Sequence, residues 1–194
     1  GRNRICINYG IPMYIIREEP SENGNSRFGG LSYIKYNEWI MSSQMQEHEK
    51  WMKFAIQEAE KAFHAKEIPV GAVVVKDGYI IGRGYNQCEN LHDPTAHAEI
   101  IAISSATNTL KDWRLTDCSL YVTKEPCPMC AGALVNARCK FVGFSIYDEQ
   151  AGCCGSLYQI CQDPRFKHQL AVKGGILEES CKTMIKDFFL NYRS

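Results

Sequence analysis

Apolar residues in the stretch 49–66 recur at steps of three and four positions, which is the spacing of an amphipathic helix. Helices of this kind bury their apolar stripe against a neighbouring layer and expose the polar residues between. The pattern therefore predicts a helix over residues 49–66. Its apolar face consists of Met52, Ala55, Ile56, Ala59, Ala62 and Phe63.

Two short apolar runs come after this helix and are separated by a turn signal. The runs are VGAVVV (residues 70–75) and YIIGRG (residues 79–84), and both are typical of strands. Between them lies Lys76-Asp77-Gly78. An Asp-Gly pair favours a tight hairpin turn because both residues tolerate positive φ. The segment therefore predicts a β-hairpin.

The rest of the chain alternates between helical and strand patterns. Such alternation is typical of a three-layer α/β fold with a mixed sheet. We predict helices over residues 96–105, 128–136 and 177–190, a short helix around Leu157, and strands over residues 119–123, 140–145 and around Val172.

Residues 1–40 differ in composition from the remainder of the chain. They include SENGNSRFGG (residues 21–30), which is rich in Ser, Asn and Gly, and they show no sustained period. Met41 and Met45 stand just before the regular structure begins. We therefore predict a poorly ordered or non-native amino-terminal extension over residues 1–40 and a single folded domain over residues 41–194.

The composition is that of an ordinary globular protein and leaves the class of partner open. Of 194 residues, 45% are hydrophobic and 23% are charged, with 22 basic and 22 acidic residues. This balance argues neither for nor against a nucleic-acid partner. Nothing resembles a signal peptide, and no apolar run approaches the ~20 residues that cross a bilayer. The expectation is a cytoplasmic protein with no membrane partner.

Ten cysteines are many for this length. In a chain without a secretory signal, CxxC spacing is more typical of metal binding or redox chemistry than of disulfides. Cys127 and Cys130, in PCPMC, are three positions apart at a predicted helix start, so both sulfurs face one side. The electropositive amino end of a helix favours the thiolate form. Most of the scattered cysteines are predicted to be small buried hydrophobic residues: Cys6, Cys88, Cys118, Cys139, Cys161 and Cys181.

A second motif, His97-Ala98-Glu99, opens another predicted helix. One imidazole from His97 and the thiolates of Cys127 and Cys130 would give three protein ligands. Three ligands leave a fourth tetrahedral position for water, which is typical of catalytic rather than structural zinc. The other histidines have no metal partner at suitable spacing and are predicted to lie on the surface: His48, His64, His92 and His168.

Glu99 is the predicted proton carrier of this site. Zn²⁺ with two thiolates and a neutral histidine is formally neutral, so it should acidify its water less than a three-histidine site. A nearby carboxylate that takes the water proton and returns it to the substrate is then valuable. Taken alone, CxxC also fits a redox pair or half a zinc finger, and HxE also occurs by coincidence. The ordered combination H-x-E followed by P-C-x-x-C is the signature of the zinc deaminases.

With both motifs in place, the chain resembles the cytidine deaminase superfamily and, more narrowly, the bacterial tRNA-specific adenosine deaminases, the TadA group. The resemblance covers about residues 48–189. It rests on these blocks: IPVGAVVV (residues 68–75), GYN (84–86), HDPTAHAEI (92–100), WRL (113–115), LYVTKEPCPMCAGAL (120–134), GCCGS (152–156) and DFF (187–189).

The resemblance implies a five-stranded mixed sheet flanked by helices, a homodimer, and one Zn²⁺ per subunit. It implies that zinc-activated water converts the wobble adenosine of a tRNA anticodon stem-loop to inosine. It also implies a set of substrate contacts, from the flipped base to the anticodon nucleotides beside it. These contacts would be made by Asn86, Val70, Ala98, Asp148, Phe188 and Phe189.

The sequence departs from that family's pattern at three places. Lys124 stands where a leucine is common, Cys153-Cys154 where two small residues are common, and Tyr147 where an arginine is familiar. None of them belongs to the two zinc-site motifs, and all lie near the surface that is expected to contact RNA. The departures therefore bear on RNA contacts rather than on the chemistry.

Two other functions fit the same motifs. A free-base or nucleotide deaminase, acting on guanine, cytosine or dCMP, would share the zinc chemistry but not the need for an RNA-binding tail. Residues 164–194 hold six Lys or Arg against three acidic residues, which fits either an RNA-facing helix or a solvated helix face. A non-catalytic zinc-stabilised binding module would not need Glu99 beside the ligands.

Overall fold

The structure is a computed structural model that describes Arg27–Phe28 and residues 31–192, with side chains from residue 40 onward. The chain forms two compact units, residues 1–45 and residues 46–194. In the first unit, strands β1 (Arg27–Phe28) and β2 (Leu31–Ser32) pair in antiparallel fashion. The predicted extension over residues 1–40 otherwise falls largely outside the described residues and stays a prediction.

Helix α1 spans Tyr33–His64 and therefore starts well before the predicted position 49. Residues 33–48 carry no glycine or proline that would stop a helix, although their apolar spacing is too irregular to signal one. The carboxyl end lies close to the prediction. The regular apolar face thus predicts residues 49–64 of the helix, whereas residues 33–48, which lack such a face, are not predicted.

A five-stranded mixed sheet forms the centre of the second unit. The strands are β3 (Gly71–Lys76), β4 (Tyr79–Tyr85), β5 (Ser119–Lys124), β6 (Phe141–Ile146) and β7 (Ala171–Lys173), in the order β4-β3-β5-β6-β7. Strand β3 is antiparallel to β4 and β5, whereas β5, β6 and β7 are parallel. The predicted five-stranded mixed sheet is confirmed.

The remaining helices agree with the sequence pattern in type and differ mainly at their ends. They are α2 (Cys88–Leu91), α3 (Ala98–Leu110), α4 (Pro128–Asn136) and α5 (Glu178–Tyr192). The sequence pattern does not predict the short helix α2. The helix expected around Leu157 is a single 3₁₀ turn at Ile160–Gln162. Within the part of the chain that the structure describes, no helix is long and apolar enough to cross a membrane.

The hairpin between β3 and β4 has the predicted turn. Asp77 and Gly78 both have positive φ, 49° and 78°. Two successive residues of positive φ match the right-handed twist of the strands that they join, and Asp-Gly tolerates them. The local sequence therefore sets the register of the first two strands of the sheet.

Alternate residues of β3 separate the two cores of the domain. Ala72 and Val74 pack with residues of α3 and α4, whereas Val73 and Val75 pack with the buried face of α1. Successive side chains of a strand point to opposite sides of a sheet. The sheet therefore lies between two helical layers, which confirms the predicted α/β/α architecture.

Two glycines of β4 let α3 approach the sheet closely. A β-carbon at Gly84 would lie 2.6 Å from the backbone nitrogen of Ala102 and closer still to the carbonyl oxygen of Ala98. Gly82 faces Ala106, one helical turn further, in the same way. Ala98, Ala102 and Ala106 are all fully buried. This contact fixes the distance of α3 from the sheet and hence the position of its first turn.

Replacing Gly84 with alanine is expected to destabilise the fold by about 2 kcal/mol, since a methyl group there overlaps helix backbone that cannot rotate away. Urea unfolding measures the change. Gly132→Ala is the matched control, because a β-carbon at that helical position meets nothing within 4 Å. Alanine there should be neutral or stabilising. Equal stabilities for the two variants would contradict the close packing of α3 on β4.

Candidate active site

Two helix amino termini meet at one end of the sheet. His97 is the N-cap of α3 and Cys127 is the N-cap of α4, where Pro128 occupies the first turn. Neither side chain caps its own helix, so both remain available for another partner. Glu99 and Cys130 lie in the first turns of the same helices. The fold therefore brings together the four residues that the two motifs predicted.

The geometry of His97, Cys127 and Cys130 suits a tetrahedral metal. The Nδ1 atom of His97 lies 3.6 Å from each of the two Sγ atoms, and all three atoms lie within 4.8 Å of one another. Zinc–sulfur and zinc–imidazole bonds of about 2.3 and 2.05 Å at tetrahedral angles place such ligand atoms about 3.6 Å apart. The donor set and its spacing therefore fit Zn²⁺.

The pKa values of the two thiols are shifted in opposite directions. The pKa of Cys127 is lowered to about 4, first by a hydrogen bond from Cys130 and also by one from His97, against the cost of burial. The pKa of Cys130 is raised by the same bond to Cys127 and by burial. The hydrogen bond with Cys127 raises the pKa of His97. A cation that binds here would displace the protons of the cluster.

Glu99 is almost completely buried, with 4% of its surface exposed. Burial raises the pKa of this carboxyl to about 6, although hydrogen bonds and His97 pull it down. A carboxyl that titrates near neutrality can both accept and return a proton, which is what general acid–base catalysis requires. Its place in the first turn of α3 sets it beside the ligand cluster.

Three of the predicted substrate residues lie at the same end of the sheet. Asn86 comes directly after β4, is 8% exposed, and donates its backbone N–H to the carbonyl of Val70 at 2.9 Å. Ala98, in the first turn of α3, is fully buried. The structure therefore groups Asn86, Val70 and Ala98 near the ligand cluster.

Asp148 is engaged by a residue that departs from the family pattern. Its carboxylate lies 2.7 Å from the Nζ of Lys124 and accepts the backbone N–H of Gln150 at 3.1 Å. The pKa of Asp148 is lowered overall: burial acts in the opposite direction and is outweighed by the bonds from Lys124 and Gln150. Only 12% of the Asp148 side chain is exposed, against 37% for Lys124. The lysine is therefore the more accessible member of the pair.

Phe188 requires a correction. The resemblance predicts that it contacts RNA, but its ring is fully buried and lies against Phe63 of α1 and Tyr192 of its own helix. A side chain with no exposed surface cannot stack on a nucleotide. Its neighbour Phe189 is 41% exposed and remains accessible. The two adjacent aromatics therefore have different surroundings, and Phe188 anchors α5 to α1.

Two of the histidines predicted to lie on the surface are part of the packing. His48 places its Nδ1 2.9 Å from the hydroxyl of Tyr121 and stacks on Phe141. His168 places its Nε2 2.7 Å from the carbonyl of Cys139. The expectation for the cysteines is better met. Cys118, Cys139, Cys161 and Cys181 are buried, Cys88 is partly exposed, and Cys6 lies outside the described residues.

Glu125 is a structural residue of the site that its sequence motif does not reveal. It is 3% exposed and accepts the backbone N–H groups of Asp148, Cys154 and Ser156 at 2.9, 2.9 and 3.0 Å. The Ser156 hydroxyl donates to it as well. Gly152 crosses directly over this carboxylate, where a β-carbon would overlap it. One buried carboxylate therefore holds the whole segment 148–156 beside the cysteine ligands.

Glu125→Gln should destabilise the protein by about 3 kcal/mol, because the amide nitrogen would face backbone donors in place of a charged acceptor. Hydrogen exchange should rise selectively over residues 148–156. The control is Glu149→Gln, an exposed acid of the same segment. That change should stay within about 0.5 kcal/mol. Unchanged exchange in Glu125→Gln would remove the anchoring role.

Comparisons with known proteins identify the family of the chain. The family model that matches the chain is the MafB19-like deaminase, over residues 46–193. A tRNA-specific adenosine deaminase of Bacillus subtilis (strain 168) is 46% identical over 149 residues, which cover 77% of this chain and 92% of that protein. A tRNA-specific adenosine deaminase of Haemophilus influenzae is 43% identical over 146 residues, covering 75% of this chain and 84% of that protein.

A solved structure of a deaminase is also similar to this chain. It comes from a study of A-to-I editing by tRNA:A34 deaminases at the wobble position of transfer RNA. It is 37% identical to this chain with a TM-score of 0.67, covering 70% of this chain and 98% of its own. The predicted resemblance to the tRNA-specific adenosine deaminases is confirmed. The chain belongs to the MafB19-like deaminase family.

Proposed function

We propose that this protein hydrolyses the amino group of the wobble adenosine in a tRNA anticodon and so produces inosine. The observation that carries this proposal is the His97–Cys127–Cys130 cluster beside buried Glu99, within a chain that is 46% identical to a tRNA-specific adenosine deaminase over 149 residues. The reaction consumes water and releases ammonia.

The metal would be one Zn²⁺ per subunit, held by His97 Nδ1 and the two thiolates of Cys127 and Cys130. These three protein atoms leave one tetrahedral position for water. When bound, zinc lowers the pKa of such a water and so supplies a nucleophile near neutral pH. The amino termini of α3 and α4 contribute positive potential, which would favour the thiolate forms of the two cysteines once the cation is bound.

Glu99 would carry the protons. Its carboxylate accepts a proton from the attacking water, and the water oxygen forms a bond to C6 of the adenine ring. The same carboxyl then delivers this proton to a ring nitrogen. It next takes the second proton of the former water from the hydroxyl on C6 and passes it to the departing amino group, so that the C6–N bond breaks, a C6 carbonyl forms and ammonia leaves. A pKa of about 6 in a buried setting favours this two-way transfer.

The substrate side of the site would use residues from several elements. Asn86, with the backbones of Val70 and Ala98, would contact the flipped nucleotide. Asp148 with its partner Lys124, and the exposed ring of Phe189, would meet the neighbouring nucleotides. An anticodon loop presents bases that are already free of pairing, which lowers the cost of flipping one into a pocket.

The biological setting is inferred from the substrate. A protein that modifies tRNA would act in the cytoplasm, and a homodimer would be its functional form. The folded deaminase domain would comprise residues 41–194, with the preceding residues as an extension. Size-exclusion chromatography with light scattering tests the homodimer.

The decisive experiment offers the purified protein an anticodon stem-loop with adenosine at the wobble position. Free guanine, free cytosine, free adenosine and dCMP are tested in parallel reactions. Nucleoside digestion and chromatography should reveal inosine from the stem-loop and no turnover of the small molecules. Turnover of a free base or nucleotide without inosine in the RNA would overturn the proposal.

A further inference from the structure

Glu67 is a buried carboxylate that the reaction does not use directly. It lies between α1 and β3 and is 1% exposed. Its Oε2 accepts a hydrogen bond from the Nδ2 of Asn86 at 3.1 Å, and its Oε1 accepts the backbone N–H of Asn90 at 2.8 Å. Both oxygens of a fully buried group are therefore engaged by the segment that comes after β4, one by Asn86 and the other by Asn90 of α2.

These bonds determine which way the Asn86 amide points. A side-chain amide has a donor end and an acceptor end of nearly equal shape, so packing alone does not choose between them. A carboxylate accepts hydrogen bonds, so Glu67 draws the amide nitrogen toward itself. The Oδ1 of Asn86 then faces the other way, where the thiol of Cys88 donates to it at 3.3 Å.

Asn86 lies next to the reaction centre. Gly84, two residues earlier, packs against the first turn of α3. The backbone N–H of Gln87 donates to the carbonyl of Ala96 at 3.0 Å, immediately before His97. The turn that carries Asn86 is therefore tied to the segment that carries the metal ligand and Glu99. If the side-chain amide of Asn86 were turned over, its donor and its acceptor would exchange places beside the reaction centre.

The geometry points to Glu67 as a positioning residue that sets the donor and acceptor pattern which Asn86 offers to the substrate nucleoside. Glu67 takes one amide hydrogen, so Asn86 presents its carbonyl oxygen and its second N–H in fixed places. This inference rests on the proposed function, since it assumes that Asn86 contacts the substrate. The site then selects a nucleoside whose hydrogen-bonding groups complement that fixed pattern.

The Glu67→Gln variant gives this inference a sharp test. The introduced side chain must still accept the backbone N–H of Asn90, so its amide oxygen takes that place and its NH₂ group faces Asn86. Asn86 must then turn its own oxygen toward the introduced NH₂ group and its nitrogen toward the substrate. We expect kcat/KM for the stem-loop to fall about 10- to 100-fold with the zinc content unchanged.

A compensating change at the partner should recover activity. In the double variant Glu67→Gln/Asn86→Asp, the introduced amide donates to the introduced carboxylate, which again offers an oxygen to the substrate. Its kcat/KM should exceed that of Asn86→Asp alone, in which two carboxylates face each other. The control is Glu58→Gln, which alters a buried carboxylate bound to Lys61 and Arg83. Combined with Asn86→Asp, it should give no recovery.

If Glu67 had only a structural role, the losses of kcat/KM in Glu67→Gln and Asn86→Asp would add up in the double variant. Such additive losses would overturn the inference. Glu67→Asp provides a second test in case Glu67→Gln fails to fold. It keeps the carboxylate acceptor but shortens its reach, so kcat/KM should fall by an intermediate amount, and a wild-type kcat/KM would also overturn the inference. The Asn86 side-chain NH₂ resonances, assigned by their loss in Asn86→Asp, give a readout without substrate. They should shift in Glu67→Asp, and unshifted resonances count against the inference even if the stem-loop is not a substrate.

Discussion

Replacing Glu99 with alanine is expected to lower kcat for stem-loop deamination by at least ~10²-fold while the protein keeps its zinc. The carboxyl is 4% exposed, lies in the first turn of α3, and is absent from the His97–Cys127–Cys130 cluster. Its removal takes away the proton carrier and leaves all three metal ligands in place. Inosine formation and zinc content, measured on the same preparation, give the two required readings.

Glu179→Ala is a suitable control for this experiment, because Glu179 is 90% exposed on α5 and far from the cluster in sequence. It should retain both zinc and the deaminase rate, and any loss there would reflect a general effect of the preparation. Stoichiometric zinc together with more than a tenth of the wild-type rate in Glu99→Ala would exclude Glu99 as the proton carrier. Loss of zinc would instead place Glu99 among the groups that support the metal.

Local signals explain which parts of the fold are predictable from the sequence. The Asp77-Gly78 turn and the proline at the start of α4 each determine the structure of their own segment, and both elements lie where the pattern placed them. The three zinc ligands and Glu99 are equally predictable from the sequence, since the two motifs open two helices whose amino ends lie close together. In these cases a few neighbouring residues are sufficient for the prediction.

Contacts between distant residues explain which features could not be predicted. Phe188 of α5 is buried because it packs against Phe63 of α1. Its burial therefore cannot be inferred from the sequence of α5 alone. The partners of Glu125 lie more than twenty residues away, in the segment 148–156. Glu67 likewise bonds Asn86 and Asn90, and the whole β3–β4 hairpin separates it from them in the sequence. A buried acid requires a partner, but its sequence position does not identify that partner.

Two departures from the family pattern gain meaning once the structure is known. Lys124 stands where a leucine is common, and it pairs with Asp148 at 2.7 Å. Cys154 stands where a small residue is common, and its Sγ lies 3.4 Å from that of Cys161, a buried neighbour. Each unusual residue therefore meets a polar or sulfur partner that accommodates it. Neither Lys124 nor Cys154 belongs to the ligand cluster.

Replacing Cys127 with alanine is expected to remove both the zinc and the activity. Two protein ligands would remain, His97 and Cys130, and the lost thiolate is the one whose pKa is lowered to about 4, so it is the sulfur most ready to bind a cation. A site that loses one of three ligands no longer fixes tetrahedral zinc. The deamination rate should fall by at least ~10³-fold, since the metal and the water it activates are lost together.

The matched control is Cys181→Ala, because Cys181 is a buried cysteine of α5 with no place in the ligand cluster. Both variants lose one thiol, but only Cys127→Ala should lose zinc by atomic absorption. The melting temperature offers an independent reading, since a metal that binds the folded state raises it by mass action. Added zinc should raise the melting temperature of apo wild type and apo Cys181→Ala and leave that of Cys127→Ala unchanged. Full zinc retention in Cys127→Ala would exclude Cys127 as a ligand. It would also contradict the tetrahedral geometry on which the catalytic role of Glu99 depends.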